Sequence, residues 1–299
     1  MQLKNKLWNI IYFNLKRNYK YLIFFGISVL VISLIVSFSV TSSVPKNAKF
    51  TIANSEIRME DSSVLGFQSL SGIYNLILLG PIMICLILLI NIFFINKIFT
   101  SEIKSGEISF WLSSSLKRSH IYIIKLLTIN LVTTLMFLPL FVCVIIFGSF
   151  AYDSNNLDKI VFTVLEMFLV LLTFNSLIIF INQLCKENGI LFACLVGVIM
   201  LLLLIPSFTY NIYKTNPNDW KMFQYNRFFS LELIAPSFLY SNDLISDTIQ
   251  TDTFKQTIFS LDKPKLNSVL IGVGINLIIW GFSTILGLVI WSKKDFAKL

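Results

Sequence analysis

The sequence is poor in charge, alanine and histidine. Only 13% of its 299 residues are Asp, Glu, Lys or Arg, about half the share in an ordinary soluble domain. Six alanines stand against 28 phenylalanines. The one histidine is His120, and the four cysteines have no CxxC or Cys/His spacing that would hold a metal. No nucleophile elbow, HExxH pair or G-x-x-x-x-G-K-[ST] loop is present, and no pair of carboxylates sits inside an apolar run. Catalysis by this chain alone is therefore not expected, and neither is ATP binding through a phosphate loop of its own. Lys and Arg are not gathered on one polar face, which argues against nucleic-acid binding. Aromatic residues at 14% exclude a disordered chain.

What is present is apolar. By the AVILMFWYC count 56% of residues are hydrophobic, and mean hydropathy is +0.77. Crossing a hydrocarbon core about 30 Å thick takes about 20 mostly apolar residues in a helix. Six stretches qualify: 21–41, 73–95, 121–150, 160–181, 189–205 and 268–291. The third contains Pro139, and the fifth is short and ends at Pro206. The expected fold is an all-α integral membrane protein with six transmembrane helices, forming one membrane domain over 1–299. The apolar run of the first stretch is longer than that of a signal peptide and lacks a clean cleavage site. It is expected to stay.

An even number of spans puts both termini on one side. With the termini cytoplasmic, the inner segments hold fourteen cations against four anions, and the outer ones ten against eleven. The positive-inside rule therefore orients the chain with both ends in the cytoplasm, and the net charge of +8 reports topology. All four cysteines lie in spans or at the cytoplasmic edge, so no external disulfide is expected. Lysine exceeds arginine 20 to 4, a composition associated with AT-rich coding DNA. The expected location is a bacterial plasma membrane.

Before the first span, Leu3, Leu7, Ile10, Ile11 and Leu15 recur at helical spacing, beside Lys4, Lys6, Lys16 and Arg17. This predicts an amphipathic elbow helix lying in the membrane plane. The external segment 207–267 holds an apolar cluster (Phe223, Phe228, Phe229, Leu231, Leu233, Ile234, Phe238, Leu239) interrupted by Pro236. One or two short helices are expected there. Glu166 is the one acidic residue well inside a span, and such a residue is a functional candidate by default. Asn175 shares its span, with Asn75, Asn91, Asn130, Ser176 and Asn182 in this or other spans. Glu166 and Asn175 are candidates for lining a translocation path; amides of this kind also hydrogen-bond between helices. Gly274 and Gly281, seven apart on one face, would let a neighbouring helix approach closely.

The most informative stretch is the cytoplasmic loop 100–120, which mixes charges with Ile103, Ile108, Phe110, Trp111 and Leu112. A purely solvated loop has no use for adjacent Trp111 and Leu112. An amphipathic helix seated on the bundle, or in a partner's groove, does. Gly106 permits a sharp turn into it. Here the chain resembles the membrane subunits of type-2 ATP-binding-cassette exporters. After the second span those permeases carry a glutamate, a glycine four positions on, a hydrophobic pair, an arginine and a later lysine. Glu102, Gly106, Trp111-Leu112, Arg118 and Lys125 stand at those offsets. Glu107 replaces the usual small residue after the glycine, and Ser115 stands at the usual proline.

The resemblance implies that this loop forms a coupling helix, with Glu102, Gly106, Glu107, Trp111, Leu112, Lys117 and Arg118 transmitting motion from a separate cytoplasmic ATPase. It also implies that ATP and Mg belong to that partner, so that this chain holds no cofactor, and that a second permease copy or a paralogue completes the path. The expected cargo is a peptide or a hydrophobic compound. A stand-alone secondary transporter or channel, or a non-transporting immunity or scaffold protein, are the alternatives; neither needs an ATPase.

Overall fold

The computed structural model describes residues 2–43, 49–52, 55–58, 80–113, 116–151, 157–185, 188–215, 220–235, 244–251, 254–261 and 266–294. Among these residues, six helices are long and apolar enough to cross a membrane. The chain opens with α1 (Gln2–Arg17), followed across the single residue Asn18 by α2 (Tyr19–Ser43), the first span. Asn18 marks the joint: its side-chain amide donates to the Asn14 carbonyl at 2.9 Å. The second span is α3 (Pro81–Ile95), with Pro81 in its first turn, where a missing N–H costs no helix bond. It runs on through a π-helical turn, Asn96–Ser101, into the short turn Glu102–Lys104. A short loop helix follows, α4 (Glu107–Leu112). The remaining spans are α5 (Arg118–Ala151), α6 (Leu157–Leu184), α7 (Gly189–Thr215) and, after one more short helix, the last helix, Leu266–Lys293.

Two of these helices run through proline. α5 continues past Pro139, and α7 continues past Pro206 to Thr215. The expected end of the fifth span at Pro206 is therefore corrected. Around Pro206, the Ser207 hydroxyl donates to the Leu203 carbonyl at 2.7 Å and the Thr209 hydroxyl to Ile205 at 2.8 Å. Side-chain hydroxyls of this kind re-satisfy backbone carbonyls beside a proline in an apolar medium.

The segment before the last helix holds a 3₁₀ helix (Lys221–Phe229) and the short α8 (Leu231–Ile234), so α9 is Leu266–Lys293. These two helices answer the expectation of short helices here. Asn226 ties the 3₁₀ helix to α7, donating to the Thr209 hydroxyl at 2.6 Å. Of the cluster named above, Pro236, Phe238 and Leu239 lie outside the described residues. The structure adds two antiparallel hairpins between spans. β1 (Lys49–Ile52) pairs with β2 (Ser55–Arg58), and β3 (Leu244–Thr251) pairs with β4 (Phe254–Leu261) from Leu244↔Leu261 to Thr251↔Phe254.

The bundle is layered. The most apolar windows of the second and fourth spans are 61% and 67% buried, against 17% for the first and 22% for the fifth and sixth. α6 lies at the centre, against α3, α5 and α9. The core is built from Ile87, Leu88 and Phe94 of α3, Ile129 and Leu140 of α5, and Val170, Leu171 and Ile179 of α6. α2, α7 and α9 turn side chains such as Phe24, Phe38, Leu202 and Ile278 outward. In water such a surface would be an aggregation hazard; in a bilayer it is the lipid-facing side.

The expected close approach at Gly274 and Gly281 is not found within this chain. A methyl group at either position would meet nothing within 4 Å, because they belong to a helix whose Leu277, Ile278 and Ile285 face outward. Among the described glycines, Gly287 receives a neighbour. There the Tyr122 ring of α5 packs against bare backbone, and a methyl group would overlap its hydroxyl. Gly287→Ala should therefore destabilise the bundle by about 1–3 kcal/mol, the usual cost of overpacking. Gly287→Ala combined with Tyr122→Phe, which removes the overlapping hydroxyl without emptying the core, should recover part of that loss. Thermal unfolding in detergent would check this; an unchanged midpoint for Gly287→Ala would refute the contact.

Candidate functional site

The residues that carry the loop motif converge at one end of the bundle. Span two does not stop cleanly there. Its last turn is π-helical, and such turns are rare and recur at functional sites. The chain then turns at Gly106, whose φ of +74° is left-handed and costs glycine little. Ser109 braces the start of the loop helix by donating to the Gly106 carbonyl at 2.6 Å. Ile108 is buried beneath that helix, and Trp111 and Leu112 rest half-buried against the apolar core.

Lys125, seven residues into α5, is fully buried, as is Glu102. Its ammonium lies 2.7 Å from the Glu102 carboxylate and 2.6 Å from the Ile98 carbonyl within the π turn. The rings of Phe99 and Trp291 stand 5.3 and 5.5 Å away, centroid to Nζ. A lone ammonium in such a place would be very costly. Here a carboxylate, a carbonyl and two aromatic faces replace water. Asn182 of α6 adds a bond to the same turn, donating to the Thr100 hydroxyl at 3.0 Å.

Trp291 extends this node to the last helix. It packs edge-on against Phe99 with ring centroids 5.6 Å apart, and its indole N–H donates to the Arg118 carbonyl at 3.1 Å. Arg118 reciprocates: its guanidinium donates to the carbonyls of Lys294 at 2.8 Å and Ser292 at 3.4 Å. The last carbonyls of a helix lack intrahelical partners and carry partial negative charge, so a guanidinium belongs there. One cluster thus joins the end of span two, the start of span three and the end of span six.

The loop helix is also held from the N-terminal side. Arg17 of α1 forms an ion pair with Glu107, and Phe13 meets Trp111 edge-on at 5.5 Å. The ion pair is partly exposed, and such pairs contribute about 0–1 kcal/mol. The aromatic contact is of similar size, about 0.5–1.5 kcal/mol. Phe110 stands 71% exposed beside Trp111. The first helix, the loop helix and the end of the last helix therefore share one end of the bundle.

Of the residues singled out from the sequence, Glu102 and Arg118 meet in this cluster. Gly106, Glu107, Trp111 and Leu112 form or brace the loop helix beside it. Lys117 is exposed just before α5, and Ser115 lies outside the described residues. Glu166 and Asn175 sit apart from the cluster and from each other. Glu166 is buried in α6, nine residues before Asn175, roughly 13 Å along the helix axis. Asn175 is fully buried in a polar network. It accepts from the Asn91 amide at 2.8 Å and donates to the Thr133 hydroxyl at 2.7 Å and to Asn130 at 3.3 Å. This network joins spans two, three and four, which is what intramembrane amides commonly do.

Three parts of the cluster escaped sequence reading. Phe99 and Trp291 carried no charge signal, and Phe13 and Arg17 belong to a helix read only for its membrane-facing side. The pairing of Lys125 with Glu102 was open to inference, since a lysine inside an apolar run demands a partner. No family model matches the chain, and no curated protein matches it.

Lys125→Met should destabilise the fold by about 3–5 kcal/mol, because it strands the buried carboxylate. Lys125→Met combined with Glu102→Leu should cost markedly less than Lys125→Met alone. A double-mutant cycle on thermal or denaturant unfolding in lipid nanodiscs measures the coupling, and additive effects would show that the pair is not coupled.

Proposed function

We propose that this chain is the membrane subunit of an exporter of the type-2 ATP-binding-cassette kind, driven by a separate cytoplasmic ATPase. One observation supports this most. Glu102, Gly106, Arg118 and Lys125, spaced as in that family, are not scattered: Glu102 and Lys125 form a buried ion pair, the exposed Arg118 ties the same end of the bundle to the last helix, and Gly106 aims a short helix out of it. That helix presents Phe110 to its surroundings and keeps Trp111 half exposed. Exposed aromatic anchors of this type are what a partner's groove captures.

In this reading residues 1–299 are a single permease domain in a bacterial plasma membrane, with the loop end of the bundle and both termini in the cytoplasm. α1 is the amphipathic elbow, lying along the inner surface with Trp8 and Tyr12 at the interface. ATP and Mg act in the partner. Movement of the ATPase is passed through the loop helix to the end of span two, and from there through Lys125 and Trp291 to spans three and six. The bundle's inward- and outward-open populations then shift because each nucleotide state binds one of them better. Six spans make a narrow path, so a second copy or a paralogue completes it, with two-fold symmetry as the simplest arrangement. The outward apolar face of α9 around Gly274 and Gly281 is available for that contact. Glu166 and Asn175 are the polar groups assigned to the path. The few charges within the spans favour a peptide or hydrophobic compound as cargo.

The experiment is co-purification of the chain with the ATPase and measurement of ATP turnover in proteoliposomes. Trp111→Asp removes a central aromatic anchor and should weaken ATPase binding by about 2 kcal/mol or more, about 30-fold. Gly106→Val, which cannot adopt the left-handed turn cheaply, should leave ATPase bound poorly and turnover uncoupled from cargo. Both variants should insert normally. Wild-type binding and turnover in both would refute the coupling role, and a chain that moves cargo with no ATPase present would refute the exporter reading.

A further inference from the structure

The π turn and Lys125 together point to a register device. In an α-helix each residue advances about 100° around the axis, and a π turn is equivalent to an α-helix carrying one extra residue. Asn96–Ser101 is such a turn, set between an α-helical span and Glu102. Were it to relax to α-geometry with the same residues, everything after it would rotate by about 100°, one residue's worth of turn. Glu102 would swing away from α5, and the loop helix beyond Gly106 would aim elsewhere.

One side chain holds the turn in its present state. The Lys125 ammonium takes the Ile98 carbonyl from inside the turn and the Glu102 carboxylate from just after it. Those two groups lie four residues apart, the separation at which an α-helix would instead join carbonyl to amide. Phe99, also in the turn, covers one side of the ammonium, and Trp291 from the last helix covers another. Asn182 fixes Thr100 between them. Ile98, Phe99 and Thr100 are thus engaged by groups from the third, fourth and last spans, and the Lys97 ammonium lies over the Tyr21 ring of α2, 5.5 Å from its centroid. Asn96, at its start, is exposed.

We infer that Lys125 is a positioning residue that holds span two in the π register, and that the direction in which the loop helix points is set by whether it does so. In the transport reading this is where motion of the loop helix becomes rotation of a membrane span. The inference does not need that reading, because the register is a property of this chain and is measurable with no partner present.

The test measures the distance between spin labels at Phe110→Cys on the loop helix and Ile190→Cys at the exposed start of α7, in an otherwise cysteine-free chain in lipid nanodiscs. Deleting Asn96 removes the extra residue, so the helix becomes α-helical while Glu102 keeps its place. That variant should insert and give the wild-type distance. Lys125→Met releases the turn and should shift the distance on the order of 5 Å or more, the chord of such a rotation at side-chain radius. Deleting Asn96 in the Lys125→Met background should restore the wild-type distance, or restore insertion if Lys125→Met alone does not insert. A purely structural charge pair would not be rescued by shortening a different helix. A shifted distance on deleting Asn96 alone, an unchanged distance in Lys125→Met, or no rescue by the deletion would each overturn the inference.

Discussion

A charge that cannot leave must be given partners, and Lys125 sets that constraint for one end of this protein. It lies fully buried on the third span, and its surroundings follow from that. A carboxylate comes from the residue just past span two, a carbonyl from a turn wound loosely enough to offer it, and aromatic faces from spans two and six. The ion pair need not add net stability, since apolar replacements of buried pairs often do as well. What it supplies is discrimination. Packing of Leu, Ile and Phe tolerates small rotations of one helix against another, whereas a buried ammonium tolerates only the arrangement in which its partners are in reach.

Around that point the bundle is divided by kind of interaction. In the middle of the membrane, spans two, three and four are joined by Asn91, Asn130, Thr133 and Asn175. At the loop end the ties are charged and aromatic, and they reach the first helix and the last. Elsewhere the helices meet through close packing, and beside the loop-end cluster the Tyr122 ring lies against both Trp291 and the bare backbone of Gly287. α2, α7 and α9 present broad apolar sides, and a bilayer offers those sides a solvent as apolar as themselves.

Much of the membrane architecture was legible in the sequence because a span declares itself through length and composition. Boundaries were less so. Pro206 reads as a stop, yet the helix passes through it, with the Ser207 and Thr209 hydroxyls bonded to carbonyls one turn back. The hairpin of β3 and β4 was not legible: β3 is rich in Ile and Thr, but β4 is not, and neither strand keeps a strict apolar–polar alternation. In the candidate site, Glu102, Gly106 and Arg118 were visible through spacing. Trp291 was visible only as a residue near the end of the chain. Its role is a contact with a residue 173 positions away, and no local pattern encodes such a contact. The π turn was equally hidden, because nothing in Asn96–Ser101 as a string of letters distinguishes it from ordinary helix.

The distribution of these ties along the chain also bears on assembly during synthesis. Chains emerge N-terminus first. The amide network of spans two to four is complete once the fourth span has entered the membrane, because every partner of Asn175 precedes it in the sequence. The Lys125 cluster is different: Glu102 and Ile98 are already present when Lys125 arrives, but Trp291 comes only with the last span. Until then the ammonium is paired and has Phe99 on one side only. The last helix therefore acts as a closing stroke. It seats an indole over the charge, hands its own loose carbonyls to Arg118, and seals the polar end of a bundle whose middle was finished earlier.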